Sequence, residues 1–313
     1  MKIVYMGTPI FAVPSLKALI DAGHEIQLVV TQPDRKGNRG KIAISPVKEL
    51  AVLEGIDVSQ PNRIRKEPDE IEIIKALEPD IIVVAAFGQI LPKEILDIPR
   101  YGCVNVHGSL LPKLRGASPM QRAILQGDKE TGVTIMKMAE GLDTGDMISK
   151  VVCNIEGKDI FEVSDLLSDE GAKLLVSTLE DIENGTATYT KQNEDEMTYA
   201  PMINKLDGMT GFDESAEAID CKVRAYKEWP TLFSFLSDKQ VKFYDVEPMM
   251  DRNPSDEPGT IFEINKNDFV INCKEGQLRI LELQMQGKKR MKAGDFLRGG
   301  QVSGNDRFCI KEG

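Results

Sequence analysis

Residues 2–31 read KIVYMGTPIFAVPSLKALIDAGHEIQLVVT, and their pattern decides the first half of the fold. Lys2–Met6 is a short apolar run with the length of a strand, and Gly7, Thr8 and Pro9 form the turn after it. Leu16, Leu19 and Ile20 then lie on one face of a helix that Gly23 ends, with Pro14 tolerated because first-turn amides lack partners inside the helix. Glu25–Thr31 is a second strand. A strand, helix and strand in this order close by a right-handed crossover into a parallel sheet. The intervening turn, MGTPIFAVP, lacks G-x-G-x-x-G, so no dinucleotide is expected there.

Asp80–Phe87 (DIIVVAAF) is the most continuous apolar segment and predicts a central strand buried on both faces. Gly88–Pro92 leaves its C-terminal end, where open α/β sheets place ligands. Periodicity predicts helices near 47–54, 68–78, 118–126 and 165–183, the last stopped by Asn184 and Gly185. Strands are expected near 57–59, 101–107, 132–138 and 147–153. A polar stretch from Thr186 to Asp207 reads as a linker. A helix near 216–227 then precedes short strands at 241–246, 259–265, 268–273, 277–283 and 301–308, the texture of a small β-barrel. The expected fold is therefore α/β, a doubly wound, mainly parallel sheet followed by a small C-terminal barrel, and 313 residues suffice for two such cores. Trp229, the only tryptophan, is expected in the barrel core.

A content of 41% hydrophobic and 28% charged residues is that of a globular chain. The net charge of −11 argues against indiscriminate coating of nucleic acid but leaves room for local basic sites at RKGNRGK (35–41) and KKRMK (288–292). Five cysteines without C-x-x-C spacing indicate neither a disulfide framework nor a zinc site, which fits a reducing compartment. The chain starts on a strand rather than a targeting segment, and no apolar run approaches 18 residues, so a cytoplasmic location without membrane contact is expected.

The stretch Asn105–Asp143, NVHGSLLPKLRGASPMQRAILQGDKETGVTIMKMAEGLD, carries the chemistry. Asn105 and His107 stand two apart in a strand and project from one face. Asp143 follows the β-rich run Gly132–Met138 and adjoins Thr144 and Gly145, where a turn can fold its carboxylate back onto the histidine. Amide, imidazole and carboxylate are the parts needed to stabilise an oxyanion, move a proton and orient the ring in acyl transfer. The same Asn-X-His pattern also serves as a hydrogen-bonded structural pair. Ser109 lacks a G-x-S-x-G elbow and His24 follows a helix-ending glycine, so neither a serine nucleophile nor a metal centre is expected.

N-x-H-x-SLLP-x-x-RG (105–116) followed by GLDTGD (141–146) resembles the formyltransferases that use 10-formyltetrahydrofolate, and within them the branch whose acceptor is methionyl-tRNA. The resemblance runs along most of the chain. It implies a Rossmann-like catalytic domain over 1–186, a linker over 187–207, and a barrel of oligonucleotide-binding type over 208–313 that helps to grip tRNA. The implied activity is transfer of the formyl group to the α-amino group of methionine on initiator tRNA, with 10-formyltetrahydrofolate as cosubstrate and no metal. Asn105 would then donate to the oxyanion, His107 support that charge or shuttle the proton, and Asp143 orient His107 and help to accept the ammonium proton. Phe87, Gly88, Gln89, Ile90, Leu91 and Pro92, with Ser109, Leu110, Leu111 and Pro112, would line the folate pocket. Arg35, Lys36, Arg39 and Lys41, with Lys288, Lys289 and Arg290, would meet the tRNA, and Lys222 and Arg224 could add to the grip. Arg115 is expected to fix the turn around the site by hydrogen bonds. Met202 departs from the family, which carries a basic residue after the TYAP sequence present here at 198–201. A monomer is expected. The competing acceptor is a small amine, an amino-sugar nucleotide or a purine-pathway ribonucleotide, and the basic QPDRKGNRGK segment (32–41) favours tRNA over it.

Overall fold

A computed structural model describes residues 1–36, 42–250, 257–300, 302–304 and 306–311. Two compact units emerge, the first from 1–119, 130–154 and 164–200, the second from 120–129, 155–163 and 201–313.

In chain order the elements are β1 (Lys2–Gly7), α1 (Val13–Asp21), β2 (Glu25–Val30), β3 (Arg35–Lys36), β4 (Ile42–Ala43), α2 (Pro46–Leu53), β5 (Val58–Ser59), α3 (Pro68–Ala76), β6 (Ile81–Ala85), α4 (Lys93–Leu96) and β7 (Cys103–His107). They continue with β8 (Arg115–Gly116), α5 (Pro119–Leu125), β9 (Glu130–Lys137), β10 (Met147–Asn154), α6 (Ile160–Asn184), β11 (Tyr199–Ala200) and α7 (Ala216–Ala225). The last are β12 (Leu232–Leu236), β13 (Lys239–Met249), β14 (Ile261–Ile264), β15 (Phe269–Asn272), β16 (Gln277–Met285), β17 (Met291–Lys292), α8 (Ala293–Arg298) and β18 (Phe308–Cys309).

The first unit is built on a seven-stranded sheet in the order β10-β9-β7-β6-β1-β2-β5. Strands β5, β2, β1, β6 and β7 are parallel, while β9 and β10 run antiparallel at one edge. The chain goes from β1 to one side and later returns to its other side at β6, so the ends of β1 and β6 diverge at a topological switch point. All five residues of β6 are buried, as a strand covered on both faces requires. The long helix α6 begins at Ile160 rather than Asp165, because Asp159 accepts from the amides of Phe161 (3.0 Å) and Glu162 (3.1 Å) and starts the helix there. Val163, Leu167, Leu175, Leu179 and Ile182 turn inward from α6. Gly171 lets that helix come close to the sheet, since a Cβ there would stand 3.2 Å from methyl groups of Val106 and Val133.

The second unit curls an antiparallel sheet in the order β14-β15-β16-β13-β12-β18, with β17 beside β16. A bridge between Thr260 and Arg307 draws the two outer strands toward one another, giving the barrel-like curl expected from the sequence. Its core is aromatic: Phe212, Phe243, Phe269, Phe296 and Phe308 are all buried, and the rings of Phe212 and Phe243 meet edge to face at 5.6 Å. Helix α7 contributes Ala216, Ile219 and Val223, one stripe at helical spacing, and Ser215 caps it by accepting from the Ala218 amide.

Two sequence readings need correction. Trp229 is 52% exposed, because it sits where α7 gives way to β12 while phenylalanines on inward positions fill the core. The strand expected over 301–308 reduces, among the described residues, to Phe308–Cys309, and α8 occupies 293–298 just before it.

Candidate active site

Strands β6 and β7 pair in parallel, with Val84 opposite Asn105, so the segments that follow them emerge from the same edge of the sheet. That geometry brings 87–92 and 108–116 to one end, the end where open parallel sheets receive ligands. Asn105 and His107 share a face of β7, and their antiparallel partners on β9 are Met136 and Thr134.

Asp143 reaches this face from the loop after β9, with φ of 53°, a left-handed conformation that a carboxylate residue adopts more readily than most. Its Oδ1 lies 3.4 Å from Asn105 Nδ2 and 3.7 Å from His107 Nδ1. Its Oδ2 accepts from the Gly116 amide at 2.9 Å. His107 and Asp143 expose only 6% and 13% of their side chains, so the pair interacts in a medium poorer in water than the surface. The other ring nitrogen of His107, Nε2, is 3.0 Å from the Leu114 carbonyl oxygen. A carbonyl can only accept, so Nε2 carries the hydrogen and the neutral ring presents its lone pair at Nδ1.

The loop behind this pair is held from several directions. Thr134 Oγ1 donates to the Ser109 carbonyl at 2.7 Å and accepts from the Leu111 amide at 3.1 Å. Lys150 donates to the Leu111 carbonyl, and partial burial pushes its ammonium below the usual lysine range. Ser109 spends its hydroxyl on the Lys113 carbonyl at 2.7 Å, an arrangement that suits a structural role rather than a nucleophile.

A segment read as linker supplies the rest. Thr198 Oγ1 accepts from the Leu114 amide at 2.9 Å and the Thr198 carbonyl accepts from Arg115. β11 pairs with β8, placing Ala200 opposite Gly116. Arg115 is buried and uses its guanidinium twice, on Glu194 at 2.8 and 3.0 Å and on Gln192 Oε1 at 2.9 Å. That hydrogen bonding holds the turn, as the sequence suggested, but through residues in the 187–207 stretch that carried no local mark. Gln192 Nε2 in turn donates to the carbonyls of Asp143 (2.7 Å) and Gly145 (2.8 Å). Nothing in the sequence around Gln192 announces a partner 49 residues away.

The residues expected around a folate divide by exposure. Phe87, Leu91, Ser109, Leu111 and Pro112 are buried, Gln89, Leu110 and Pro92 are half-buried, and Gly88 and Ile90 stand open at the sheet edge. Gln89 is tied back to the chain, accepting from the Ile64 amide at 2.7 Å and donating to the Pro61 carbonyl at 2.9 Å. The Phe87 carbonyl accepts from Gln32 Nε2 at 3.1 Å, which links this loop to the residues just after β2.

Of the basic residues, Arg35 and Lys36 form β3, paired with β4, while Arg39 and Lys41 lie outside the described residues. Both ends of that 32–46 segment are anchored by Lys48, whose Nζ donates to Asp34 Oδ2 and Gln60 Oε1, each at 2.6 Å. The hydrogen bond from Lys48, then that from Gln60, holds the Asp34 carboxyl below the usual carboxylate range. In the second unit, Lys288, Lys289 and Arg290 sit between β16 and β17, and the Arg290 guanidinium lies 4.3 Å over the Tyr244 ring while pairing with Glu282. Lys222 pairs with Glu214 and Arg224 with Asp220, so both are engaged within their own unit. Met202, where the resemblance called for a basic side chain, is 68% exposed. Among the described residues no cluster of histidine, cysteine and carboxylate side chains could hold a metal ion, and no helix is long and apolar enough to cross a membrane.

Residues 1–179 match the formyl transferase family, and residues 202–301 match its C-terminal domain. The methionyl-tRNA formyltransferase of Agathobacter rectalis is 48% identical over 315 residues, covering 99% of this chain and 100% of its own length. Among solved structures, an N-formyltransferase from Helicobacter canadensis in complex with folinic acid and dTDP-3-aminofucose is similar with a TM-score of 0.66 and 21% identity, over 90% of this chain and 98% of that one. The methionyl-tRNA formyltransferase of Clostridium thermocellum gives a TM-score of 0.55 at 19% identity, over 79% and 93% of the two chains. At those identities the solved structures speak for the fold.

Proposed function

The chain belongs to the formyl transferase family, and on that premise we propose that it moves the formyl group of 10-formyltetrahydrofolate to the α-amino group of methionine on initiator tRNA, for the start of translation. The observation that carries this reading is the end-to-end likeness to the methionyl-tRNA formyltransferase of Agathobacter rectalis, joined to a half-buried amide, a buried imidazole and a half-buried carboxylate gathered on one face of β7.

The chemistry asks for three things. As the amine nitrogen bonds to the formyl carbon, negative charge develops on the formyl oxygen. Asn105 has two N–H groups, one directed at Asp143, and the other serves the oxyanion. The amine must lose a proton. With Nε2 occupied by Leu114, His107 takes that proton at Nδ1, where the Asp143 carboxylate offsets the new charge. The carbon–nitrogen bond to the folate then breaks, and the departing nitrogen recovers the proton from the imidazolium.

Folate suits the segments 87–92 and 109–112: exposed Gly88 offers backbone groups for a flat heterocycle, and Ile90, Leu91 and Pro92 offer an apolar wall. Residues 1–186 act as the catalytic domain and 208–313 as the tRNA-binding barrel, joined by 187–207. Arg35, Lys36, Arg39 and Lys41, with Lys288, Lys289 and Arg290, neutralise tRNA phosphates. The protein works as a cytoplasmic monomer.

The direct test is formyl transfer from 10-formyltetrahydrofolate to methionylated initiator tRNA, with dTDP-linked amino sugars and ribonucleotide amines run in parallel. Formylation of the tRNA alone is expected, and Asn105→Ala should abolish turnover while leaving tRNA binding nearly intact. Transfer only to an amino-sugar nucleotide, the acceptor class suggested by the Helicobacter canadensis structure, would keep the chemistry and overturn the acceptor. Alanine at Arg39 and Lys41 should raise the KM for tRNA and flatten its salt dependence, because fewer counterions are released.

A further inference from the structure

The carboxylate of Asp143 has to be aimed at His107 from a loop, and loops hold direction poorly unless something pins them. Asp143 has a positive φ, and its carboxylate has one backbone donor, Gly116. What fixes the backbone itself is Gln192. Its single amide group spans the loop, donating both hydrogens, one to the carbonyl before the turn at Asp143 (2.7 Å) and one beyond it at Gly145 (2.8 Å). The amide oxygen is held in turn by Arg115 Nε at 2.9 Å, so the side chain has one orientation in which all three bonds are made. The rest of the Arg115 guanidinium is fixed bidentately by Glu194. Arg115 adjoins Gly116, the residue that binds the Asp143 carboxylate, so both ends of Asp143 are referred to one short strand.

We propose that Gln192 is a positioning residue for the transfer reaction: by bridging the carbonyls of Asp143 and Gly145 it keeps the Asp143 carboxylate on His107. The inference rests on the reading of Asp143 as the partner of His107 during proton transfer. Gln192 does not touch the reacting atoms, so its loss acts through geometry. A displacement of about 1 Å at such a site costs on the order of 100-fold in rate.

The test uses the full chain with Gln192→Met, which keeps length and removes the three hydrogen bonds, and Gln192→Glu, which keeps an acceptor for Arg115 but loses both donors. Steady-state formyl transfer to methionylated initiator tRNA is measured for each, alone and combined with Asp143→Ala. A fall in kcat of roughly 10- to 100-fold is expected for either variant, with both KM values within about twofold of the parent. The double variants should be no slower than Asp143→Ala alone, because a clamp on an absent carboxylate has nothing to aim. Parent kcat in the Gln192 variants, or losses that multiply in the doubles, would overturn the clamp. Unfolded Gln192→Met leaves Gln192→Glu to decide, and a loss confined to its unfolding midpoint with kcat unchanged also overturns it. If Asp143→Ala alone runs at the parent rate, it is the role of Asp143 that falls.

Discussion

His107 Nε2 lies 3.0 Å from the carbonyl oxygen of Leu114, and this contact settles which way the ring can work. The hydrogen on Nε2 is committed to an acceptor that cannot exchange roles. The nitrogen left to take up a proton is therefore Nδ1, 3.7 Å from Asp143 Oδ1, and that is the nitrogen the proposed transfer uses. Leu114 itself has a φ of 60°, which points its carbonyl inward, and the Thr198 hydroxyl holds its amide at 2.9 Å.

Asp143→Asn tests the consequence. The new amide can still accept from Gly116, but its nitrogen would donate to Nδ1 and hold the ring neutral. We expect kcat to fall by about 10² to 10⁴, the range for losing a placed proton acceptor, with binding of tRNA little changed. Equilibrium tRNA binding beside single-turnover kinetics separates the two; a rate within threefold of the parent would exclude Nδ1 as the proton site.

Gly116 has a φ of 121°, and a Cβ there would lie 2.7 Å from the Ala200 carbonyl oxygen. Gly116→Ala must push β8 away from β11 and take with it the amide that binds Asp143. A backbone strained in this region costs about 1–3 kcal/mol, so the variant should fold at reduced stability and lose most of its activity. Denaturant titration with an activity assay at a temperature where it is folded would show both effects.

Lys48 ties Asp34, just before β3, to α2, just after β4. Lys48→Met should leave kcat near the parent value at saturating tRNA and raise the KM for tRNA severalfold, since the basic segment loses its anchored base while the charges remain. Unchanged KM would mean that the anchoring is irrelevant to the acceptor.

Asp159 starts α6 and pairs with Lys227. Burial pushes its carboxyl up, but Lys227 and the amides of Glu162 and Phe161 outweigh that and hold it below the usual range. A carboxyl depressed in the folded state adds stability above its unfolded pKa and gives it up as pH falls through the folded value. Asp159→Ala should therefore cost about 1 kcal/mol at neutral pH, typical of a lost cap, and the difference from the parent should shrink in acid. Urea unfolding of both proteins near pH 7 and near pH 3 measures it.

What could be read from the chain alone was whatever repeats locally. The opening strand, helix and strand, the fully apolar β6, and the shared face of Asn105 and His107 all follow from periods of two and 3.6 residues, which backbone geometry imposes within a few positions. Asp143 was legible in part, because a turn after a strand is a local signal. Trp229 misled because size and apolarity say that a side chain prefers burial, while only the assembled barrel decides which aromatic gets an inward position. The Leu114 carbonyl, the Thr198 hydroxyl and the Gln192 amide carry no such signal: each acts through a hydrogen bond to a residue distant in the chain or through a backbone direction. Local patterning along the chain specified the sheet, the strand that bears the amide and imidazole, and the set of chemical groups. Which ring nitrogen is free, and what holds the carboxylate beside it, depends on segments that folding brings together rather than on neighbours along the chain.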